Sequence, residues 1–455
     1  MASNGLLSSF LAAIQASLSV LLVISYGAIA AKFKLLDSAS GKVISKVCVK
    51  MFLPALLFAK IGSELHAGSA HRYLIILIWA FICHFVSFLI GMGVHLGFGF
   101  PDWTTAALMF NNTTSYPLLL IQSLQETGIL QRLIGENENM SAAIERAKSY
   151  FLVFATISSC LTFAVGPRLI DTEHSPDPPD DKDDEEDDDD GARDEEAQQD
   201  GTNEGTTLLP HTRERLASIV ETTFFPTAPR DPDHPRQFST AYDRRPSKIL
   251  IAKKRWLELH PRTQWWLLFL YDFLNAPLLG AVVGAIIGLV PPLQRAFFND
   301  TADGGIFTAW LTASLKNIGS IFVPLPLIVA GVSLLMSYRA SRSAAASSEE
   351  RTPWLVTGFV LVVRFIIWPA VSIPVIYALA KKTDVLGTDP MLWFTLMLMP
   401  TGPSAMKLIT MVQVSDADEK EEHKIARLLT ISYVISPILA FTVVGSLKAA
   451  EAAMN

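Results

Sequence analysis

Long apolar blocks recur along the whole chain, separated by short polar stretches, and they constrain the fold more than any other feature. A transmembrane helix needs about 20 consecutive, mainly apolar residues, and most of these blocks reach that length. Half of the 455 residues are hydrophobic and only 18% are charged, whereas charged residues make up roughly 25% of soluble domains. The sequence therefore predicts an all-α membrane protein.

We predict ten transmembrane helices, arranged as two five-helix halves around a long polar insert. The N-terminal half covers residues 1–170, the insert 171–262 and the C-terminal half 263–455. The first segment lacks a positively charged region before it and is too long for a signal peptide, so we interpret it as a retained helix. The predicted segments are 8–31, 43–62, 73–97, 104–125, 149–169, 270–292, 311–335, 355–379, 391–413 and 427–447.

The distribution of Lys and Arg predicts the orientation, because short cytoplasmic loops carry an excess of both. Five lysines surround the first loop, namely Lys32, Lys34, Lys42, Lys46 and Lys50. This loop and the insert should therefore face the cytoplasm, and the N-terminus should face the lumen or the exterior. Lys381 and Lys382 fall on the outer side and disagree with this rule.

The insert differs sharply in charge from the rest of the chain. Residues 171–246 hold 23 acidic and 8 basic residues, a balance of −15, whereas the remainder carries +8. The acidic run 180–190 repels itself and cannot bury apolar surface, so we predict a disordered linker or a binding tail for a basic partner. Residues 247–260 are predicted to form a short basic amphipathic helix, suited to the anionic cytoplasmic leaflet.

Motifs of enzymes and metal sites find no support in the sequence. Cys48, Cys83 and Cys160 each lie inside an apolar block, so no disulfide framework or metal cluster is indicated. Residues 404–407 match S-x-x-K, but the partner motifs of that enzyme class are missing. Gly280, Gly284 and Gly288 indicate close helix packing. We predict that the protein is not an enzyme and binds no cofactor, metal ion or nucleic acid.

Prolines fall in corresponding helices of the two halves, and they point to an internal repeat. They are Pro54 in the second segment, Pro117 in the fourth, Pro324 and Pro326 in the seventh, and Pro400 and Pro403 in the ninth. Halves with an odd number of helices have opposite orientations in the membrane. This layout is typical of inverted-repeat transporters, in which paired broken helices cross and form the substrate site.

Polar residues beside the prolines of the fourth and ninth segments are the candidate substrate ligands. Unwound backbone in a membrane is tolerated only where it is buried in protein or lines a cavity. Amides and hydroxyls there can donate to a carboxylate, and a half-helix amino terminus favours an anion. We predict a substrate site formed by Asn111, Asn112, Thr113, Ser115, Pro117, Pro400, Thr401, Pro403, Ser404 and Lys407.

Ionisable residues inside apolar segments need a functional or structural reason. Lys407 could balance the charge of a substrate or form a structural pair. Arg364 leaves the same two interpretations open, the structural one being that it fixes the packing of a moving domain. His84 is interpreted as a core histidine whose ring nitrogens are satisfied.

Both broken segments resemble those of the auxin efflux carrier family, in particular its PIN-LIKES and fungal branch. The resemblance rests on Asn111-Asn112 with Pro117-Leu118, on residues 400–406 (Pro-Thr-Gly-Pro-Ser-Ala-Met) and on residues 52–58 (Phe-Leu-Pro-Ala-Leu-Leu-Phe). The number of helices and the position of the hydrophilic loop match along nearly the whole chain. Lys407 departs from the pattern, since relatives often have Asn there, so anion recognition should differ.

The resemblance implies a ten-helix inverted repeat that works by an elevator mechanism. Helices one, two, six and seven would form a scaffold that makes a homodimer, and the others would carry the substrate. It also implies an organic anion such as an auxin-like indole carboxylate, and the endoplasmic reticulum membrane. Two alternatives stay open: a non-transporting scaffold whose acidic loop recruits partners, and a sodium-coupled carrier related to bile-acid symporters.

Overall fold

The computed structural model describes residues 2–134, 138–166, 273–344, 354–408 and 419–454, together with the single residues 169, 266, 267 and 270. Within this part the chain is helical, and its β structure amounts to one isolated bridge. The insert 171–262, predicted to be disordered, and the amphipathic helix predicted for 247–260 lie outside the described residues.

The first half is built from long helices and from two pairs of shorter ones. Asp37 begins the second helix, since its side chain accepts a hydrogen bond from Ser40 N at 2.7 Å. Hydrogen bonds from the side chain and from the backbone of Ser40 lower the pKa of the Asp37 carboxyl. The helices are α1 Ala2–Lys32, α2 Ser38–Val47, α3 Leu53–Glu64, α4 Ala70–Phe98, α5 Trp103–Met109, α6 Ser115–Glu126 and α7 Met140–Ala164.

The second half repeats this mixture of continuous and interrupted helices. Its helices are α8 Ala276–Leu289, α9 Pro291–Phe298, α10 Ala313–Ile321, α11 Leu325–Ala344, α12 Trp354–Val362, α13 Trp368–Lys382, α14 Pro390–Leu398, α15 Glu419–Val434 and α16 Leu439–Met454. Wide π-helical turns join some neighbours without a break. Cys48–Phe52 joins α2 to α3, and Val363–Ile367 joins α12 to α13.

Several helices are long and apolar enough to cross a membrane. The described part holds five such stretches, Leu7–Lys32, Ala70–Phe98, Thr308–Met336, Trp354–Lys382 and Ser436–Met454. The pair α8 and α9, bent by 107°, would count as a sixth if it were one span. Within the described residues the fourth and ninth predicted segments do not qualify, because their helices α5, α6 and α14 are short. The prediction of an all-helical chain with several apolar helices is thus confirmed for the described residues.

Several helices differ in extent from the predicted segments, and three of these differences have a local cause. Helix α7 begins at Met140 rather than at residue 149, because the side chain of Asn139 caps it by accepting from Ser141 N at 3.1 Å. Helix α8 ends at Leu289, since the prolines at 291 and 292 cannot continue it. The tenth segment, predicted for 427–447, is two helices with a turn at Ser436–Ile438.

Helices of one half pack against helices of the other in a reciprocal way. Helix α1, the first predicted segment, lies along α11 of the seventh, and α3 of the second lies along α8 of the sixth. The contact between α3 and α8 depends on glycines. A Cβ at Gly280 would lie 2.6 Å from the Cα of Pro54, and one at Gly284 would lie 3.0 Å from the Cα of Phe58. The predicted packing role of these glycines is confirmed.

Candidate functional site

The breaks in the two halves lie against each other and pair through their backbones. One break separates α5 from α6, and the other follows α14. Asn112 N donates to Pro403 O at 3.0 Å, and Ala405 N donates to Phe110 O at 2.9 Å. These bonds form an antiparallel bridge between Asn111 and Ser404. Residues predicted from two distant segments are therefore neighbours at one place in the interior.

Asn111 fills the gap that a proline leaves in the second half. In a continuous helix residue 403 would donate to Met399 O, but proline has no N–H. The side-chain amide of Asn111 donates there instead at 2.8 Å, and it also donates to Thr401 O at 2.9 Å. An amide has two hydrogens, so both are used, and the residue is only 4% exposed. Asn111 joins the two breaks and has no donor left for a ligand.

Trp79 and Arg364 satisfy the carbonyls around the other proline. Pro400 cannot donate to Leu396 O, and the indole N–H of Trp79 does so at 3.0 Å. Arg364 Nη1 donates to Pro400 O at 3.2 Å, whereas its buried Nε and Nη2 have no hydrogen-bond partner. The guanidinium thus lies at the carboxyl end of α14, where the helix dipole favours positive charge.

Further predicted residues are occupied by structural contacts. Ser404 Oγ donates to Ala107 O at 2.9 Å, and Ser115 Oγ donates to Phe322 O at 3.2 Å. Thr113 is buried as well. Gly402 has a φ of +97°, a left-handed conformation that favours glycine. Together these contacts fix the shape of the opened backbone.

A small cavity lies at the meeting of the breaks. Three of the predicted residues, Asn112, Pro117 and Thr401, line it. Its volume is about 20 Å³, which is room for about one water molecule. Asn112 Nδ2 donates to the hydroxyl of Tyr433 at 2.7 Å, and its Oδ1 accepts from the amide of Tyr116 at 3.4 Å. The meeting point is closed to an organic molecule in this conformation.

Lys407 and His84 do not line this cavity. Lys407 is partly buried, and its Nζ donates to Ser159 Oγ on α7 at 2.7 Å. His84 Nδ1 donates to Ala80 O at 2.7 Å, but its Nε2 is buried without a hydrogen-bond partner. The expectation of a fully satisfied histidine is therefore wrong for one ring nitrogen.

A larger cavity, here called the chamber, lies between α3, α6, α7 and α10. Its volume is about 520 Å³, within the range of roughly 300–1,000 Å³ for small-molecule pockets. Lys60, Lys148 and Lys316 line it together with Gln122, Ser320 and apolar side chains. Sequence reasoning missed this set, because the lysines lie near the ends of the predicted segments and are far apart along the chain.

The chamber borders the small cavity across α6 and α7. Leu118 lines the chamber and its neighbour Pro117 lines the small cavity, and the same holds for Leu152 and Phe151. Leu118 and Leu152 are almost completely buried. A thin wall of side chains therefore separates the chamber from the paired breaks.

A buried carboxylate fixes the start of α14. Asp389 accepts from the hydroxyl of Tyr150 at 2.8 Å, from Arg146 Nε at 3.1 Å and from Arg72 Nη1 at 3.2 Å. It also caps the helix by accepting from Met391 N at 3.1 Å. These contacts hold α4, α7 and α14 together. Sequence reasoning missed Asp389 because a lone aspartate before Pro390 also fits an ordinary helix start.

Comparison with known protein families gives a match over nearly the whole chain. A family model described as "Membrane transport protein" matches residues 12–443. The match includes both breaks, the chamber and both halves of the helical fold.

Individual relatives agree with this match. An uncharacterized transporter of Schizosaccharomyces pombe is 23% identical over 94% of this chain and 94% of its own length. An uncharacterized transporter of Saccharomyces cerevisiae is 23% identical over 95% of this chain and 94% of its own length. Protein PIN-LIKES 5 of Arabidopsis thaliana is 30% identical over 174 residues, which are 38% of this chain and 39% of that protein.

Proposed function

The chain belongs to the auxin efflux carrier family of membrane transport proteins, and from this premise we propose that it is a secondary carrier for a small organic anion. It is a multi-pass membrane transporter and not an enzyme. The observation that carries the proposal is the pairing of two opened helices beside a chamber lined by lysines. An opened backbone with positive charge nearby is what an anion site inside a membrane requires.

The proposed site divides the predicted residues into two roles. Asn112, Pro117 and Thr401 face the small cavity and would contact the substrate when it widens. The amino end of α6 adds partial positive charge there. The remaining residues would position these groups or balance charge, namely Asn111, Thr113, Ser115, Pro400, Pro403, Ser404, Lys407 and Arg364.

In this proposal the carrier works by an elevator mechanism, in which one group of helices stays fixed and another moves. The reciprocal packing of α1 with α11 and of α3 with α8 supports an inverted repeat whose first two segments form a scaffold. The Asp389 contacts hold α4, α7 and α14 as one body that could move against this scaffold. The resemblance to PIN-LIKES proteins supports a homodimer in the endoplasmic reticulum membrane, and the distribution of Lys and Arg supports a lumenal N-terminus.

An auxin-like indole carboxylate suits the chamber in this proposal. Leu56, Leu118 and Leu152 offer apolar surface for a ring, and Lys60 and Lys148 offer donors for a carboxylate. Flux of labelled indole-3-acetate into sealed vesicles that contain the purified protein tests this directly. A dependence of that flux on a sodium gradient would support the sodium-coupled alternative instead.

The site assignment makes a specific prediction for Asn112→Ala. We expect transport to fall about tenfold or more, because a lost hydrogen bond to a charged group is worth about 1.5–3 kcal/mol. The measurement is initial flux of labelled indole-3-acetate, normalised to the amount of folded protein. Asn317→Ala is the matched control, since Asn317 is exposed on α10. Unchanged flux in Asn112→Ala would contradict the assignment, and absence of flux in the natural protein for every organic anion tested would contradict the carrier.

A further inference from the structure

Glu145 joins two lysines of the chamber across a helix interface. It lies on α7 and pairs with Lys60 on α3, and its Oε1 lies 3.0 Å from Nζ of Lys148 on its own helix. The side chains of Lys60, Lys148 and Glu145 are 26%, 18% and 32% exposed, so all three are partly withdrawn from water. Both lysines line the chamber, whereas Glu145 is not among its lining residues. The carboxylate of Glu145 therefore contacts both lysines on the side that faces away from the chamber lining.

Together, the side chains of Lys60, Lys148 and Glu145 carry a net charge of +1. Each ammonium group has three N–H donors, and Glu145 accepts one from each lysine. The other donors of the two lysines are available on the side of the chamber. Partly dehydrated charges are costly unless they are balanced. A ligand with a single negative charge balances this group, whereas a dianion would leave one charge in excess.

The third lysine of the chamber contributes much less to this balance. Lys316 is exposed on α10, and its ammonium lies 5.9 Å from the ring centre of Phe298. Water and salt screen a charge in such a position. Glu64 also acts on Lys60, and its negative charge opposes the effect of Lys316. Lys60, Lys148 and Glu145 therefore set most of the charge that a bound ligand meets.

The remaining lining sets the shape of the ligand. Leu56, Leu118, Leu152 and Val323 give the chamber an apolar side. A volume of about 520 Å³ holds one aromatic carboxylate with space to spare. The ligand class is an amphipathic molecule with one apolar body and one anionic group.

We propose that Glu145 is a specificity residue, which makes the chamber select monoanions over dianions by keeping the lysine pair at a net charge of one. The physiological meaning of this selection rests on the proposed carrier function, but the selection itself is a property of binding. It predicts that removal of the Glu145 charge changes which anion binds best.

The experiment compares two probes with the same ring and different charge, benzoate and phthalate. Binding is measured by calorimetry on the purified full-length protein in lipid nanodiscs, at neutral pH and low salt. The natural protein should bind benzoate more tightly than phthalate. Glu145→Gln should shift the ratio of the two affinities toward phthalate by roughly three- to tenfold, because one more uncompensated charge attracts the dianion.

Glu126→Gln is the matched control for the lost carboxylate. Glu126 is exposed on α6 and does not line the chamber, so its removal should leave the affinity ratio unchanged. A second variant makes the test independent of how well Glu145→Gln folds. Lys148→Met brings the group to a net charge of zero, and it should abolish the preference for benzoate over uncharged benzamide.

The outcomes separate this inference from the carrier proposal. If Glu145→Gln weakens benzoate and phthalate equally, Glu145 is only a structural ion-pair partner and the inference is wrong. It is also wrong if the natural protein binds neither probe, or if Lys148→Met keeps the preference over benzamide. In each of these cases, a flux that depends on Asn112 would still support the carrier proposal. Conversely, a shifted affinity ratio without any flux would support the role of Glu145 in anion selection and contradict the carrier proposal.

Discussion

Asn111 is the residue on which the pairing of the breaks depends most directly. Its amide replaces the N–H that a proline removes, and it donates to the carbonyls of Met399 and Thr401, which lie far along the chain in the second half. An apolar side chain of the same size could not replace the amide, because the carbonyls of Met399 and Thr401 need hydrogen-bond donors. Loss of those donors would leave buried acceptors unsatisfied, which is costly.

Asn111→Asp tests this role with almost no change in shape. A carboxylate would face the carbonyls of Met399 and Thr401, which lie 2.8 and 2.9 Å from the present amide nitrogen. We expect a loss of about 2–4 kcal/mol in the free energy of unfolding, because an unsatisfied buried acceptor costs about 1–3 kcal/mol and an uncompensated buried charge costs about 3–5 kcal/mol. The measurement is thermal or denaturant unfolding of the purified protein.

Asn317→Asp is the control for this substitution, because Asn317 is exposed on α10 and its side chain fills no such gap. Equal stability of Asn111→Asp and the natural protein would mean that the pairing does not depend on the amide.

The sequence predicts the place of the site better than it predicts the task of each residue. Asn111 and Asn112 are conspicuous because amides rarely occur in an apolar segment without a reason. Their difference, one locked to carbonyls and the other lining the small cavity, depends on partners in the second half. Trp79 and Tyr433 were missed because an indole or a phenol in an apolar helix looks like ordinary packing.

Among the elements, proline alone does not decide where a helix opens. The helix continues past Pro54 and Pro369 through π-helical turns, whose wider spacing accommodates the missing donor. It opens at 110–114, where amides and hydroxyls precede Pro117, and after Leu398, where Gly402 and Ser404 stand beside the prolines. The sequence therefore identifies the fourth and ninth segments as broken when polarity and proline are considered together.

The close packing of α3 against α8 can be tested by enlarging a glycine between the two helices. Gly280→Val would press a branched side chain onto the backbone of Pro54, since a Cβ there would lie 2.6 Å from Pro54 O. Overpacking costs typically about 1–3 kcal/mol, so we expect a lower melting temperature of the purified protein.

Gly358→Val is the matched control for that glycine, because a Cβ at Gly358 meets no neighbouring atom within 4 Å. Similar melting temperatures for the two variants would show that α3 and α8 can separate without loss of stability.

For the molecule as a whole, the described contacts of the breaks and the chamber all lie outside the acidic insert. Replacement of residues 175–240 by a short Gly/Ser linker, which is flexible, should therefore leave the flux of labelled indole-3-acetate into vesicles unchanged. Protein with the same linker and Asn112→Ala serves as the inactive control. Loss of flux in the shortened protein with Asn112 intact would favour the alternative in which the loop is the functional part.

The donors that repair the second half come from the first. Trp79 and Asn111 supply the hydrogen bonds that Pro400 and Pro403 cannot make. A polypeptide of residues 263–455 alone would carry bare carbonyls into lipid, where each costs several kcal/mol. The second half therefore depends on the first during biogenesis: the ninth segment can complete its hydrogen bonds only after the third and fourth segments have entered the bilayer.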